Sequence, residues 1–99
     1  MIPIEHPGMM LKEDFLDDLG IKPGRFARDI GVDRSAIDRI IKGTRSITAE
    51  MSIRFGLFFG MSDTFWLNLQ KDFELRTAKR ERGAEFEKTV NPHERVMSD

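Results

Sequence analysis

Apolar residues recur at helical spacing on both sides of a short break near residue 31. They fall in two groups: Phe26, Ala27 and Ile30, then Ile37, Ile40 and Ile41. Residues three or four positions apart share one face of a helix, so each group predicts a short helix with one buried side. Gly31 and Gly43 follow the two groups, where glycine readily ends a helix in the left-handed conformation. The pattern predicts helices at about residues 23–30 and 34–42, joined by a tight turn.

The residues that open these two helices support that prediction. Pro23 suits the first helical position, because its missing N–H would have no partner there. Asp33 precedes the second helix, where its carboxylate can accept an orphan backbone N–H. Lys22 precedes the first helix and cannot accept such a bond. We therefore expect that helix start to be weaker by about 1 kcal/mol.

Two more helices are predicted on either side of this pair. The first runs over about residues 7–19 and is ended by Gly20, with these inward positions: Met10 or Leu11, Phe15 and Leu19. The second runs from a good cap, Thr48, to about Phe59, and it is apolar nearly all round, which indicates a buried central helix. Gly56 in its middle costs about 1 kcal/mol in helix propensity, so we expect another stretch of backbone to approach it closely.

A last helix is predicted to open at Ser62, with Met61 placed to pack on Trp66 across its start. Its inward stripe is formed by Phe65, Trp66, Leu69 and Phe73. The helix frays into a charged stretch after Arg76.

Residues 85–90, EFEKTV, alternate between apolar and polar side chains, which predicts a short strand. A lone strand is not stable, so its expected partner is its symmetry mate in a dimer. A disordered tail, with the dimer held by the last helix alone, is the alternative. Residues 93–99 are predicted to be disordered.

These elements predict an all-α fold, a compact five-helix bundle with a short C-terminal strand. Residues 1–82 would form a helix-turn-helix domain, and residues 83–99 a tail that carries the strand at about 85–90. A chain of 99 residues holds one modest core and leaves little room for a catalytic cleft.

Composition narrows the function further. The chain has no cysteine, no signal-peptide pattern and no apolar run of membrane-spanning length, so we expect a cytoplasmic protein. His6 and His93 are each isolated from other metal-binding side chains, and the glycines stand where helices stop. No triad or phosphate-binding loop can be assembled. We therefore expect no metal, no cofactor and no enzymatic activity.

The net charge of −1 hides an uneven distribution. Residues 21–45 carry seven Lys or Arg against three Asp, whereas residues 1–20 carry one Lys against five Asp or Glu. The basic excess therefore coincides with the two paired helices. A helix held by its isoleucines, with arginine and serine on its open face, can lie in the major groove of DNA.

The open face of the second paired helix supplies the candidate DNA contacts. Arginine can bridge guanine O6 and N7, so Arg34 and Arg39, with Ser35 in the first turn, are predicted to contact bases. Flanking residues suit phosphates, and the predicted set is Lys22, Lys42, Thr44 and Arg45.

The paired helices resemble the helix-turn-helix of the Cro/phage-repressor (XRE) superfamily, whose fold is lambda-repressor-like. Two further stretches narrow the resemblance: HPGMMLKEDFLDDLGI at residues 6–21 and SDTFWLNLQKDFELR at residues 62–76. Together they resemble the HigA/VapI-type antitoxins over about residues 6–90. The FWLNLQ run is the more specific signal, because a helix-turn-helix alone indicates only a DNA-binding repressor.

The resemblance implies a type II toxin–antitoxin module. Its antitoxin would bind a palindromic operator as a homodimer, repress its own operon and neutralise a HigB-type mRNA-cleaving toxin. In this family's fold Leu67 and Leu75 lie where dimers form, and Phe86 and Val90 of the predicted strand would extend that contact.

Two alternatives stay open at this point. The first is a stand-alone XRE-type repressor without a toxin, against which only the FWLNLQ-type resemblance argues. The second is a protein-interaction module that has lost DNA binding. It is supported by Asp33 and Asp38, whose carboxylates lie near the reading face and would repel phosphates. Asp38 could instead accept from a cytosine amino group or orient an arginine.

Overall fold

The computed structural model describes residues 4–93, which form five helices and contain no strand. Helix α1 opens as an α-helical turn, Pro7–Met10, and continues as a π-helical segment, Leu11–Asp17. The other helices are α2 (Pro23–Ile30), α3 (Arg34–Lys42), α4 (Ala49–Phe59) and α5 (Phe65–Thr89). The all-α, five-helix prediction is confirmed. Disorder was predicted for residues 93–99, of which residues 94–99 lie outside the described residues.

The π-helical segment of α1 changes which residues face the core. Leu11 and Leu16 are both fully buried although they are five positions apart. A π-helix is closed by i→i+5 hydrogen bonds, and its wider turn brings residues at that spacing onto one side. Leu19, predicted to face inward, is 57% exposed instead, because the wider turn directs Leu16 into the core.

Aromatic side chains from three helices form the centre of the core. Phe26 of α2 lies 5.2 Å from Phe55 of α4, and Phe55 lies 5.6 Å from Trp66 of α5, measured between ring centroids. All three side chains are fully buried. Phe15 of α1 joins the cluster through an edge contact with Trp66 at 4.9 Å. One shared aromatic cluster thus holds α1, α2, α4 and α5 together.

The turn between α4 and α5 closes tightly over Gly56, as predicted. A Cβ at this position would lie 2.9 Å from the Met61 carbonyl oxygen and 3.0 Å from that of Ser62. Buried Ser52 secures the same turn, since its hydroxyl donates to the Asp63 carbonyl (2.7 Å) and accepts from the Leu67 N–H (2.9 Å). The start of α5 is therefore fixed to α4 by backbone contact and by hydrogen bonds.

Gln70 attaches the segment between α3 and α4 to α5. Its side chain is 2% exposed, and Oε1 accepts from the Ile47 N–H at 3.0 Å. Nε2 donates to the Glu74 carboxylate at 2.9 Å, and this bond is the main reason that the pKa of Glu74 is lowered. Both ends of the buried amide are satisfied, so burying it carries no unpaired polar group.

The helix starts agree with the sequence predictions in part. Thr48 caps α4 by accepting from the Met51 N–H. Asp33 stands at the cap position of α3, but its side chain makes no capping hydrogen bond, contrary to the prediction. Helix α5 begins at Phe65 rather than at Ser62, because the Ser62 hydroxyl accepts from the Thr64 N–H and closes a turn there.

The predicted strand at residues 85–90 is wrong, because α5 continues unbroken to Thr89. Arg82 pairs with Glu85 at 2.7 Å and lies over the Phe86 ring at 5.0 Å, both local contacts that favour a helix. Phe86 and Val90 fit a period of two, but they are also four apart and so share one helix face. A helix satisfies its backbone groups without a partner strand, whereas an isolated strand does not.

The end of α5 extends beyond the bundle. The molecule measures 53 × 25 × 22 Å, and residues 84–93 are all exposed. The domain boundary predicted at residue 82 falls inside this continuous helix. Over residues 4–93, no helix has both the length and the apolar content needed to span a membrane.

Gly8 brings α1 into backbone contact with the end of α3. A Cβ at this position would lie 1.8 Å from the Ile40 carbonyl oxygen and 3.1 Å from the Ile41 Cα. Any side chain here would force the two helices apart, since the obstacle is backbone and cannot rotate away. Gly83 of α5 is the contrasting case, because its nearest neighbour would be the Lys79 Cβ at 3.9 Å.

These two glycines give a matched test of the packing. We expect Gly8→Ala to lower the free energy of unfolding by about 3 kcal/mol or more, as overpacking against fixed backbone does. Gly83→Ala should raise it by about 0.5–1 kcal/mol, because alanine is the better helix former. Urea denaturation followed by circular dichroism measures both. Equal effects of the two substitutions would contradict the close approach of α1 and α3.

Candidate nucleic-acid interface

The turn between α2 and α3 is built to hold α3 against the core. Gly31 ends α2 with φ of 76°, and the Val32 N–H donates to the Ala27 carbonyl at 3.0 Å. Arg54 of α4 donates to the Ile30 carbonyl at 2.7 Å, which places a cation at the C-terminus of α2, where it is favourable. The helix-turn-helix is therefore fixed to α4 as well as closed on itself.

Helix α3 presents a polar row to solvent because its apolar side is fully used. Ile37 and Ile40 are completely buried and Ala36 nearly so. The exposed members of the row are Arg34, Ser35, Arg39 and Lys42, with Asp38 half-buried among them. The structure thus brings the three predicted base-contacting residues onto one helix.

Arg34 is held by neighbours on two helices. Its Nε lies 3.6 Å from the Asp38 carboxylate, an i,i+4 ion pair on α3. Its guanidinium lies beside Gly24 at the start of α2, where a Cβ would be 3.3 Å from Arg34 Nη1. The side chain is 68% exposed, so the ion pair contributes little stability and mainly directs the arginine. The sequence analysis did not include Gly24 in the site. A glycine in the first turn of a helix is nevertheless a sign that another group approaches closely there.

The start of α2 lies next to Arg34 and has the properties of a phosphate site. Lys22 precedes the helix, is exposed and makes no capping bond, as expected. N–H groups in the first turn of a helix have no intrahelical partner and lie at the positive end of the helix dipole. Anions bind readily at such positions.

The remaining predicted phosphate contacts lie at the other end of α3. Lys42, Thr44 and Arg45 are exposed there, around the left-handed turn at Gly43. The Thr44 hydroxyl donates to the Arg39 carbonyl at 3.2 Å, so its hydrogen already caps the helix. Lys42 and Arg45 are thus the stronger candidates at this end.

Three of the four predicted dimer residues lie together on the outer side of α5. Leu75, Phe86 and Val90 are 56%, 39% and 61% exposed, at spacings of eleven and four residues that keep them on one side of a helix. Leu67 is half-buried and lies about a quarter turn away from Leu75. We call Leu75, Phe86 and Val90 the α5 stripe.

His6 has a structural position rather than a metal-binding one. Its Nδ1 accepts from the Gly8 N–H at 3.0 Å, and its ring makes an edge contact with Phe73 at 5.0 Å. Burial lowers the pKa of His6, an effect opposed by a hydrogen bond with the Arg45 backbone and by the charge of Glu74. Within residues 4–93, no group of three metal-binding side chains occurs.

Known proteins resemble this chain in sequence and in structure, although no protein-family model matches it. Virulence-associated protein I of Dichelobacter nodosus is 32% identical over 81 residues, covering 82% of this chain and 75% of the relative. Antitoxin HigA-1 of Vibrio cholerae is 35% identical over 85 residues, covering 86% and 79%. The structure of Pseudomonas aeruginosa antitoxin HigA with the higBA promoter is 36% identical, with a TM-score of 0.87 over 91% of this chain and 98% of that one.

These similarities extend over nearly all of the helical bundle at identities above 30%. The chain is a helix-turn-helix protein of the XRE superfamily. Within that superfamily, it belongs to the HigA/VapI-type antitoxin family. The resemblance expected from residues 6–21 and 62–76 is confirmed, and such relatives support the prediction that the chain is not an enzyme.

Proposed function

We propose that this chain is the antitoxin of a type II toxin–antitoxin module. It binds its own operator, represses its own operon and neutralises a HigB-type mRNA-cleaving toxin, acting in the cytoplasm. The observation that carries the DNA-binding part is the exposed cationic row of α3, anchored by fully buried isoleucines. A relative of the same fold has been solved with promoter DNA.

Base reading is assigned to the exposed row of α3. Arg34 and Arg39 are the candidates for bidentate contacts with guanine, and Ser35 stands in the first turn of α3 beside them. Asp38 holds the Arg34 guanidinium at 3.6 Å and so directs it across the row. A carboxylate there also weakens contact with phosphates, which favours specific over non-specific binding.

Phosphate contacts are assigned to the two ends of the helix-turn-helix. Lys22 and the first turn of α2 form one end, and Lys42 and Arg45 form the other, with Thr44 contributing after its hydroxyl rotates. Two such units in a homodimer would enter successive major grooves about 34 Å apart on a palindromic operator.

Dimerisation is assigned to the outer side of α5. Leu67 and the α5 stripe, Leu75, Phe86 and Val90, leave apolar surface exposed that a second copy would cover. We retain residues 1–82 as the DNA-binding domain, with residues 83–99 as its extension. The last turns of α5 take the dimer-forming role predicted for a strand, and they would set the separation of the two α3 helices.

Substitutions on α3 test the division between bases and phosphates. Arg39→Ala should weaken operator binding by about 1–3 kcal/mol and relax preference at one base pair. Lys42→Ala should weaken binding to operator and scrambled duplexes alike, because a phosphate carries no sequence information. Fluorescence anisotropy gives, for each duplex, the ratio of the variant's dissociation constant to that of the unmodified chain. If Arg39→Ala lowered the affinity for both duplexes equally, Arg39 would be reassigned to contact with the DNA phosphate backbone.

Two exposed leucines test the dimer interface. Leu75→Glu, on the α5 stripe, should convert the dimer to a monomer and reduce operator affinity, since each half-site then binds alone. Leu57→Glu is the control, because Leu57 of α4 is 80% exposed and lines a groove with residues of α2 and α4 and none of α5. Analytical ultracentrifugation reads out the oligomeric state. Dissociation by Leu57→Glu with a persistent Leu75→Glu dimer would move the interface to α4.

A further inference from the structure

A groove of about 270 Å³ lies between the start of α1 and the middle of α5. The residues that line it come from α1, from the segment before α1 and from α5, and none comes from α2 or α3. The exposed row of α3 therefore does not line the groove, although His6 at the groove's edge lies against the turn at Gly43 that follows α3. The groove also lies on a different side of α5 from Leu75, which does not line it.

The floor of this α1–α5 groove is apolar and adaptable. Met10, Leu69 and Phe73 are half-buried along it, and Met9 at its edge is 43% exposed. Methionine side chains are flexible and polarisable, and they are common where a surface must fit a partner. The floor offers a place for an apolar anchor, which a patch of charge alone would not.

The rim of the groove is acidic. Four carboxylates line it, from Glu5, Glu13, Asp14 and Asp72, against one guanidinium. That guanidinium belongs to Arg76, which pairs with Asp72 at 3.6 Å. Among residues 4–93, Glu5, Glu13 and Asp14 have no ion-pair partner. The rim thus keeps a negative charge that nothing within the described chain neutralises.

We infer that the α1–α5 groove is the docking site for the toxin, and that it takes a basic segment with an apolar anchor. This inference rests on the proposed function. A toxin that cleaves mRNA must bind a polyanion, so it carries a cationic surface. That surface is complementary to the acidic groove and is repelled by the cationic row of α3. Complementary charge of this kind speeds association and selects the partner.

Separate surfaces for toxin and operator have a functional consequence. The toxin occupies the side formed by α1 and α5, while α3 remains open to the major groove. Antitoxin bound to toxin therefore keeps its candidate base-reading side chains uncovered, and the toxin borders the α3 unit only near the turn at Gly43. Neutralisation then requires the toxin's cationic RNA-binding surface to be covered by the acidic rim.

Charge reversal on exposed rim residues tests the inference. The variant Glu13→Lys/Asp14→Lys changes the groove, and Asp18→Lys/Glu81→Lys makes the same change in net charge at exposed positions outside it. The probe is the purified product of the reading frame adjacent to this chain's gene. Titration calorimetry measures its binding, anisotropy measures operator binding, and thermal unfolding confirms that both variants are folded.

We expect the groove variant to bind the probe on the order of tenfold more weakly or worse, with operator binding retained, and the control to bind both normally. Equal probe binding by the two variants would overturn the groove assignment and leave the proposed function intact. A groove variant that changes oligomeric state would instead assign the groove to a second copy of this chain. If the unmodified chain failed to bind the probe, the proposal that this chain neutralises a toxin would be contradicted. Operator binding would still test the proposed repression.

Discussion

Burial of Ile37 and Ile40 is the constraint on which the rest of this molecule depends. Both side chains are completely buried, so α3 has no freedom to rotate about its axis. Its polar row must then face outward, and the turn at Gly31 sets the distance to α2. Arg54 and the aromatic cluster around Phe26 fix that pair of helices to α4. The exposure of this candidate DNA-reading row is a consequence of how the core is filled.

Charge is divided unevenly between two segments of a small bundle. The net charge of −1 conceals an excess of four positive charges in residues 21–45 and an excess of four negative charges in residues 1–20. A uniform surface of that charge would bind DNA poorly, whereas separated poles let one domain attract two partners of opposite sign. Asp38 is a carboxylate within the cationic row of α3, and its ion pair with Arg34 shows how it can support an arginine there.

Much of this architecture could be predicted from the sequence, for local reasons. Pro23, Gly31 and Gly43 mark the bounds of α2 and α3, and these bounds agree with the structure. The π-helical part of α1 could not be predicted, because a wider turn leaves no compositional mark. The helical end of α5 could not be predicted, because Phe86 and Val90 fit periods of two and of four equally well. Within the site, the row on α3 follows from periodicity, but the contact of Arg34 with Gly24 depends on how two helices pack.

The salt dependence of operator binding tests the central claim most directly, since phosphate neutralisation underlies it. A dimer that uses both ends of each helix-turn-helix engages roughly six to eight phosphates. The logarithm of the association constant should then fall against the logarithm of salt concentration with a slope of about −5 to −7. Anisotropy titrations on a palindromic duplex from the chain's own promoter give that slope. A flat dependence, or no binding at low salt, would contradict the account and leave the bundle as a protein-interaction module.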